Sequence, residues 1–483
     1  MKKFAKLLVV ALAVAIIASM FSVVASATEA PAAETDPNNL KPGSERVIFI
    51  KDAPRDENYQ IVGELTGDGT GSDADNPLIP MDHESFDPSV DYPKHHLMTA
   101  FYQATELLKD EGGTIVVCGP VYFGIGESYG SGGSTRDVFT AKFGTNTIKI
   151  TSVYNGVDYR ETAGAKITLA LPAEIGMYGQ SIWENIDIET AAAGRVISFD
   201  CWPTLVGEGV NCYPSDSAFE GVAANYVSLS AGHRYGKSLD VDSNLLVKSG
   251  TYNVITGAMW GVVDSQTNEN CDVNLTLEGT TKVYGQIIGT TGQRGKFSGN
   301  VNVTINGGTY ECDINGIGVT GMLNTDGVVK LTINGGDFTN AWSINTASSG
   351  YQNNGPAIAT LDFSGWKGDT LALAKAYGAI TDFEDIKLPA GVTEQQLLDA
   401  IKAAETTAPE TTVAPVETQK PAEETKAPAV EDTKAPAVEE TKDTTPVTPD
   451  DEKGGSNIGL IIGIVAAVVV IAVIAVVVLK KKK

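Results

Sequence analysis

Val301-Asn-Val-Thr-Ile-Asn-Gly307 returns 28 residues later as Val329-Lys-Leu-Thr-Ile-Asn-Gly335, and Val273-Asn-Leu-Thr-Leu-Glu-Gly279 precedes both at the same interval. A weaker copy, Leu245-Leu-Val-Lys-Ser-Gly250, comes first and aligns only with a one-residue gap. The period is therefore 28 to 29 residues. Repeats of this length are typical of solenoids, in which each unit buries its apolar face against the next one.

Apolar and polar residues alternate within each copy, as in Val301-Asn-Val-Thr-Ile305. A period of two with β-branched residues predicts half-buried strands rather than helices. Each strand ends at glycine, which adopts the positive φ of a tight turn at little cost. Two further short apolar segments complete each period, so the sequence predicts an all-β, right-handed parallel β-helix. The alternative is an antiparallel β-sandwich.

Two sets of residues recur at equivalent positions and predict stacked columns. Asn306 and Asn334 stand at the same turn, where stacked asparagines satisfy backbone groups through a hydrogen-bonded ladder. Tyr252, Tyr310 and Phe338 each follow the turn and predict an interior aromatic stack. Both columns favour a structural role for these residues.

The two ends of the chain carry targeting signals. Residues 1–27 combine a lysine-rich start, an apolar run and Ala25-Ser-Ala27, which predicts a secretory signal peptide; an uncleaved anchor is the alternative. Residues 458–479 contain no charge and are long enough to form a transmembrane helix. The lysines at 480–483 predict a cytoplasmic tail. We therefore expect a single-pass protein of the cell membrane with an extracellular ectodomain.

The ectodomain divides into four predicted parts. An irregular N-terminal segment covers 28–92, and the parallel β-helix with an N-terminal cap helix at His96–Lys109 covers 93–366. Residues 367–403 predict a C-terminal cap of short helices. Residues 404–457, rich in proline, threonine and glutamate, predict a disordered stalk that holds the β-helix away from the membrane.

Charge and cysteine content exclude some classes of function. The net charge of −25 excludes nucleic acid as a partner, because an acidic surface repels polyanions. The five cysteines lack the Cys-x-x-Cys spacing of zinc sites: Cys118, Cys201, Cys212, Cys271 and Cys312. Buried free thiols are the favoured interpretation, and a disulfide between Cys201 and Cys212 is the alternative.

Several segments resemble the pectin-lyase-like superfamily of right-handed parallel β-helices. The helix and strand over 100–117 are similar to the first segment of those proteins, and Gly67–Pro77 is similar to the aspartate- and glycine-rich segment that precedes it. Thr151–Tyr159 and Gly164–Thr168, with the Leu-Thr-Ile-Asn-Gly-Gly repeats, resemble surface-attached proteins of Gram-positive bacteria. The resemblance spans about 66–366 and implies a fold shared by lyases, hydrolases, carbohydrate binders and adhesins.

Catalytic motifs of that superfamily are incomplete here. For a hydrolase, Asp200 lacks a second carboxylate partner, and His233 is followed by Arg234 rather than glycine. For a lyase, Asp240 and Asp242 lie on one face of a strand near Arg234 and could bind calcium. A solvent-facing acidic turn explains the same two aspartates.

Calcium is the one cofactor that the sequence brings into consideration. Asp68, Asp73 and Asp75 lie on a glycine-rich loop, although their spacing does not follow the helix-loop-helix calcium motif. A solvated turn is the favoured interpretation of this loop.

Tryptophans provide the candidate carbohydrate contacts, because exposed aromatic rings stack on sugars. The candidates are Trp183, Trp202, Trp260 and Trp342, for which core packing is the favoured interpretation and carbohydrate contact the alternative. The sequence therefore predicts a non-catalytic surface protein for adhesion or carbohydrate binding, with a polysaccharide or a host or cell-envelope glycan as partner. A tethered polysaccharide lyase or glycoside hydrolase is the alternative, and a structural role in the cell envelope is the third possibility.

Overall fold

The computed structural model describes residues 34–54, 56, 62–78, 100–123, 137–169, 174–191, 193–232, 241–258, 267–268, 272–290, 295–297, 299–316, 321–323, 327–346 and 358–407. The predicted signal peptide, the membrane helix at 458–479, the tail and nearly all of the stalk lie outside these residues. Within the described part of the chain, no helix combines the length and the apolar character that crossing a membrane requires.

Strands are the main regular structure of the described chain. The strands of the N-terminal half are β1 Val47–Ile50, β2 Gly113–Val117, β3 Pro120–Phe123, β4 Asp137–Thr151, β5 Val153–Tyr154, β6 Val157–Asp158, β7 Lys166–Leu169, β8 Glu174–Glu184, β9 Asp187–Thr190, β10 Val196–Ser198, β11 Thr204–Val206, β12 Asn211–Pro214 and β13 Ser228–Ser230. Those of the C-terminal half are β14 Ser243–Val247, β15 Thr251–Thr256, β16 Thr267–Asn268, β17 Val273–Leu277, β18 Lys282–Ile288, β19 Gly295–Phe297, β20 Val301–Ile305, β21 Thr309–Tyr310, β22 Asp313–Asn315, β23 Gly321–Leu323, β24 Val328–Ile333, β25 Ser343–Asn345, β26 Ile358–Asp362 and β27 Asp385–Lys387.

Helices are few and short. The α-helices are α1 Ala100–Leu108, α2 Tyr159–Ala163, α3 Thr370–Gly378 and α4 Glu394–Thr407. The 3-10 helices are Pro37–Asn39, Ser217–Phe219 and Ala223–Asn225. Helix α1 confirms the core of the predicted helix before the repeats, and its Phe101, Ala104 and Leu108 are fully buried.

One parallel ladder, here called the long ladder, runs through the whole described chain. Its neighbours in order are β1, β2, the end of β4, the end of β8, β11, β14, β17, β20, β24, β26 and β27. Asn274 pairs with Asn302, and Asn302 pairs with Lys330, so the 28-residue period is the distance along the chain between stacked strands. Parallel pairing overturns the antiparallel sandwich alternative.

A second parallel ladder shares strands with the first. It joins the starts of β4 and β8 to β10, β13, β15, β18, β22 and β25. A separate parallel sheet has the order β12-β9-β7-β3. A chain that returns once per period to pair with its preceding turn is compatible with a β-helix.

The interior is filled by the apolar half of each alternating strand. Leu275, Val303, Leu331 and Leu361 stack in register, and none is more than 1% exposed. The interior position of the aromatic column is confirmed, since Tyr252, Tyr310 and Phe338 are at most 2% exposed. The rings of Tyr310 and Phe338 stack at 5.1 Å, whereas Val283 lies between Tyr252 and Tyr310. Gly308 turns the chain into this column with φ of +97°.

The sheet extends beyond the predicted domain boundaries at both ends. Strand β1 lies in the segment predicted to be irregular, 28–92, yet it pairs along its whole length with β2. Strand β27 lies in the predicted cap, 367–403, and pairs with β26. Helix α4 runs to Thr407, past the predicted start of the stalk. Local sequence does not specify which strands β1 and β27 pair with, because the partner strands lie elsewhere in the chain.

Candidate functional site

The repeats present three polar columns on the outer side of the long ladder. We call this surface the polar face, and it consists of the outward side chains of β17, β20 and β24 and of the turns after them. The columns are Asn274, Asn302 and Lys330; Thr276, Thr304 and Thr332; and Glu278, Asn306 and Asn334. Their side chains point outward because their neighbours in each strand fill the core.

Asparagine side chains on this face are bonded to one another. Asn302 Nδ2 donates to Asn274 Oδ1 at 3.1 Å, and Asn274 Nδ2 donates to Asn244 Oδ1 at 2.9 Å. At the turn, Asn306 Nδ2 donates to Glu278 Oε2 at 3.4 Å. Asn306 also accepts a hydrogen bond from the next asparagine of the column, so the predicted turn ladder is confirmed.

The threonine column is different, because its hydroxyl groups are free. Within the described residues, the hydroxyls of Thr276, Thr304 and Thr332 make no hydrogen bond to protein. The three side chains are half-buried and lie on adjacent strands, about 4.8 Å apart. The face therefore offers a straight row of groups that can both donate and accept hydrogen bonds.

Towards the N-terminal end, a segment of the chain covers the outer side of the long ladder. We call Glu34–Leu40 the strap. Its 3-10 helix packs against β11 and β14, and Leu40 is 7% exposed. The column that continues the threonines is apolar here, consisting of Leu246, Leu205 and Ile182. Leu246 and Ile182 are buried although they lie outside the core.

The strap is fixed at both ends by hydrogen bonds. Gln180 Nε2 donates to the carbonyl of Glu34 at 2.7 Å, and the amide of Gly43, just after the strap, donates to the carbonyl of Thr147 at 2.9 Å. Asp36 Oδ1 accepts from the Asn38 amide at 2.9 Å and begins the 3-10 helix. These hydrogen bonds hold the strap in one position on the long ladder.

A groove of about 290 Å³ lies where the strap meets the polar face. The strap forms one wall, and the outer ends of β14 and β17 form the other. The groove is lined by Thr35, Asp36, Pro37, Asn38, Asn244, Leu245, Leu246, Asn274 and Thr276. Most of these groups are hydroxyls, amides or a carboxylate, so the groove suits a polar ligand.

Of the five candidate catalytic residues, the structure describes Asp200 and Asp242. Asp200 lies in a left-handed turn with φ of +47° between β10 and β11. Asp242 is exposed, and its Oδ1 accepts from the amide of Asp272 at 2.7 Å, which supports the start of β17. His233, Arg234 and Asp240 lie outside the described residues. The site proposed from these five residues therefore stays a prediction.

The predicted calcium residues serve the turn in which they lie. Asp73 accepts hydrogen bonds from Asn76 and from the amide of Asp75. The hydrogen bond from the Asn76 side chain is the main cause of the lowered pKa of Asp73, and the backbone hydrogen bonds add to it. Asp68 accepts from Thr70. In the described part of the chain, no three His, Cys, Asp or Glu residues lie close enough to hold a metal ion. The turn covers β1, since the Phe49 amide donates to the Gly71 carbonyl.

The four candidate tryptophans have different environments. Trp183 is 1% exposed and packs in the core, with its ring 6.1 Å from that of Phe101, which agrees with the favoured interpretation of core packing. Trp202 is half-buried, and Trp342 is 64% exposed. Trp260 lies outside the described residues. Trp342 therefore keeps an accessible ring, but it lies after Phe338, away from the polar face.

Free, buried thiols are confirmed at four positions, Cys118, Cys201, Cys212 and Cys312. A disulfide between Cys201 and Cys212 is therefore absent. Burial raises the pKa of Cys212 to about 12 and that of Cys118 to about 11. Cys271 lies outside the described residues.

A group of charged residues that the sequence did not reveal lies on the outer side of the four-stranded sheet. Asp187 and Glu189 point to the same side of β9. Glu189 accepts from Lys166 at 2.7 Å and from Thr168 at 2.9 Å. Burial raises the pKa of Asp187, while Arg160, 3.9 Å away, partly opposes this shift. The alternation Asp-Ile-Glu was visible in the sequence, but its neighbours depend on strand pairing.

Comparisons with protein-family models, with curated proteins and with solved structures find no match for this chain. The parallel sheet is therefore established by the structure itself, and no relative supplies a function.

Proposed function

We propose that this chain is a surface-held, right-handed parallel β-helix of the pectin-lyase-like kind that binds a neutral glycan along its polar face. The observation that carries the proposal is the row of free hydroxyls of Thr276, Thr304 and Thr332. Unoccupied hydroxyls at regular spacing match a partner that itself presents repeated hydroxyls. Adhesion at the cell surface follows from such binding.

The chemistry of the face favours a neutral ligand over a charged one. The asparagine amides are occupied by one another, which holds the surface rigid and limits the entropy lost on binding. The net charge of −25 opposes acidic polymers through long-range repulsion. A polymer of neutral sugars avoids this repulsion and supplies donors and acceptors in every unit.

The termini support display outside the cell. A signal peptide at 1–27 would direct export, and a membrane helix at 458–479 would hold the chain at the membrane. The proline- and threonine-rich residues 404–457 would serve as an extended spacer. Together they would display the polar face to extracellular polysaccharide.

Affinity electrophoresis of the full-length chain tests the proposal. Gels containing starch, xylan, glucomannan or yeast mannan would be run with the unmodified protein and with Thr276→Val/Thr304→Val/Thr332→Val. Valine keeps the β-branched shape and removes the hydroxyl, so the strands persist. We expect retardation by at least one polymer. The variant should lose at least about tenfold in affinity, because three hydrogen bonds of about 0.5–1.5 kcal/mol each are removed.

Asn340→Ala is the matched control, because Asn340 is exposed and lies outside the polar face. It should bind as the unmodified chain does. Equal binding by the triple valine variant, or no retardation by any of the four polymers, would reject this function.

The outer side of β9 favours glycoside hydrolysis as a second candidate function. Hydrolysis needs one protonated and one ionised carboxyl group. Asp187 has a raised pKa, and Glu189 is paired with Lys166. Release of reducing sugar from the same four polymers, abolished by Asp187→Asn and by Glu189→Gln, would support this function. Activity that survives both substitutions would remove these residues from the reaction.

A further inference from the structure

We propose that the polar face recognises the ends of glycan chains, with the terminal sugar held in the groove beside the strap. This inference rests on the proposed function, because it specifies how a glycan would lie on the same face. It is carried by the position of the strap across the line of the threonine hydroxyls.

The strap blocks one end of that line. The free hydroxyls run from Thr332 through Thr304 to Thr276, and the next position in the column is Leu246, which is 3% exposed. The strap's 3-10 helix lies against β14, the strand that carries Leu246. A ligand that follows the hydroxyls therefore cannot continue past Thr276. At the other end of the line, the next position in the column is Asp362, whose side chain is 12% exposed and lies 3.8 Å from Lys330. The Lys330 side chain beside it is 48% exposed, and no strap residue covers this end within the described chain.

The groove at the blocked end has free polar groups on both walls. Asp36 uses Oδ1 for its bonds to Asn38, which leaves Oδ2 without a partner among the described residues. Asn244 uses Oδ1 to accept from Asn274, which leaves its Nδ2 as a free donor. The groove therefore offers Asp36 Oδ2 as an acceptor, Asn244 Nδ2 as a donor, and the Thr276 hydroxyl, which can act as either.

The size of the groove agrees with one terminal unit rather than a continuous chain. About 290 Å³ is at the lower end of the volumes found for small-molecule sites. A chain end presents one more free hydroxyl than an internal unit, and Asp36 Oδ2 is placed to accept a hydrogen bond from it. An internal unit would instead bring its next neighbour against the strap.

The dependence of binding on chain length tests this proposal. The polymer retarded in the electrophoresis experiment would be partly hydrolysed and fractionated by length, and each fraction titrated against the full-length protein by calorimetry. A protein that binds chain ends has an association constant per chain that does not change when the length doubles. A protein that binds internal units has a constant that doubles, because the number of sites doubles.

Two variants connect the length dependence to the strap. Deletion of residues 34–38 should open the face, weaken binding of short fractions by roughly tenfold and make the association constant rise with length. Asp36→Asn keeps the Oδ1 acceptor that begins the 3-10 helix and removes the Oδ2 acceptor. It should weaken binding of every fraction by a similar factor while leaving the melting temperature unchanged.

The outcomes separate this inference from the proposed function. An association constant proportional to length in the unmodified protein would overturn end recognition while leaving glycan binding in place. Unchanged affinity in Asp36→Asn would remove the carboxylate from the site and overturn the proposed groove. Absence of binding to all four polymers would overturn both proposals together.

Discussion

The side-chain amide of Asn334 donates a hydrogen bond of 2.9 Å to Oδ1 of Asn306, which stands at the same turn one strand earlier. Asn306 in turn donates to Glu278 at 3.4 Å, and Glu278 lies 3.3 Å from Lys248. Four side chains on successive turns thus form one continuous polar column. The column links neighbouring turns on the outer side, where the apolar core does not reach.

The column predicts that Asn306→Asp destabilises the fold. A carboxylate at 306 cannot donate to Glu278 and adds a like charge directly beside it. We expect a loss of about 1 kcal/mol in the free energy of unfolding, measured by urea denaturation at pH 7. Asn340→Asp, on an exposed turn, should change it by less than about 0.5 kcal/mol. Equal stability of the two variants would contradict a stabilising column.

The buried hydroxyl of Tyr310 gives a second prediction. It donates to the carbonyl of Gly307 at 2.6 Å, and Tyr310 is fully buried. Tyr310→Phe should cost about 1 kcal/mol, because the carbonyl loses its partner while the ring remains. Tyr310→Ala should cost about 3–5 kcal/mol, because it leaves a cavity beside Phe338. Urea unfolding measures both, and similar losses for the two variants would contradict this division.

Asp362 gives a prediction about acid stability. Its side chain is 12% exposed, and hydrogen bonds from Ser364, assisted by Lys330, lower the pKa of Asp362. A lowered pKa in the folded state stabilises the fold above the unfolded value near 3.9, and this contribution is lost as the pH falls through the folded value. Asp362→Asn should therefore lower stability by about 1 kcal/mol at pH 6 and have a smaller effect at pH 2.5.

Urea titrations of the unmodified protein and of Asp362→Asn between pH 6 and pH 2.5 would show how the free energy of unfolding of each changes with pH. Asp369→Asn is the control, because it removes the charge of another carboxylate nearby in the sequence. Asn keeps the oxygen that accepts from the Ala372 amide and caps α3. A stability difference for Asp362→Asn that is constant with pH would contradict the assigned role of the charge.

Cys212 should be unreactive in the folded protein. It is 2% exposed, and burial raises the pKa of its thiol to about 12. At pH 8 only about one thiol in ten thousand would be ionised, and the thiolate is the reactive form. Iodoacetamide followed by peptide mass mapping should modify Cys212 only after denaturation in urea. Rapid modification of the native protein would show that this strand opens.

Because Cys212 lies on β12, its reactivity also reports whether the four-stranded sheet is closed to reagents, and no ligand is needed for this measurement. Cys118, with its pKa raised to about 11 and 3% exposure, serves as the internal comparison. Both cysteines should be protected to a similar degree.

Much of the repeat architecture could be predicted from local pattern. Alternation of apolar and polar residues gave the strands of 273–277, 301–305 and 329–333, and their equal spacing gave the register that the structure shows. The turn ladder and the aromatic column followed from the same spacing. These features are predictable because each depends on the identity of residues one period apart.

Other features could not be predicted, because they depend on segments that are distant in the chain. Val47 pairs with Thr114 in the long ladder. Asp187 lies near Arg160 and Lys166 because β9 pairs with β7, the strand that follows helix α2. Core packing of Trp183 was the favoured interpretation, but its partner Phe101 lies in the N-terminal helix and could not be identified from local sequence. The candidate catalytic residues stay a prediction, because His233, Arg234 and Asp240 lie outside the described residues.

The sequence alone determined the repeat unit of this protein, because a period of two within strands and of 28 between them specifies which side chains face inward and which stack. Only the tertiary structure decided which part of the outer surface is free. Leu246 and Thr276 occupy the same column and differ in exposure because the strap, more than 200 residues earlier in the chain, lies against one strand and ends at the other. The repeat period can be read from neighbouring residues, whereas the covering of one strand by a distant segment depends on how the whole chain packs.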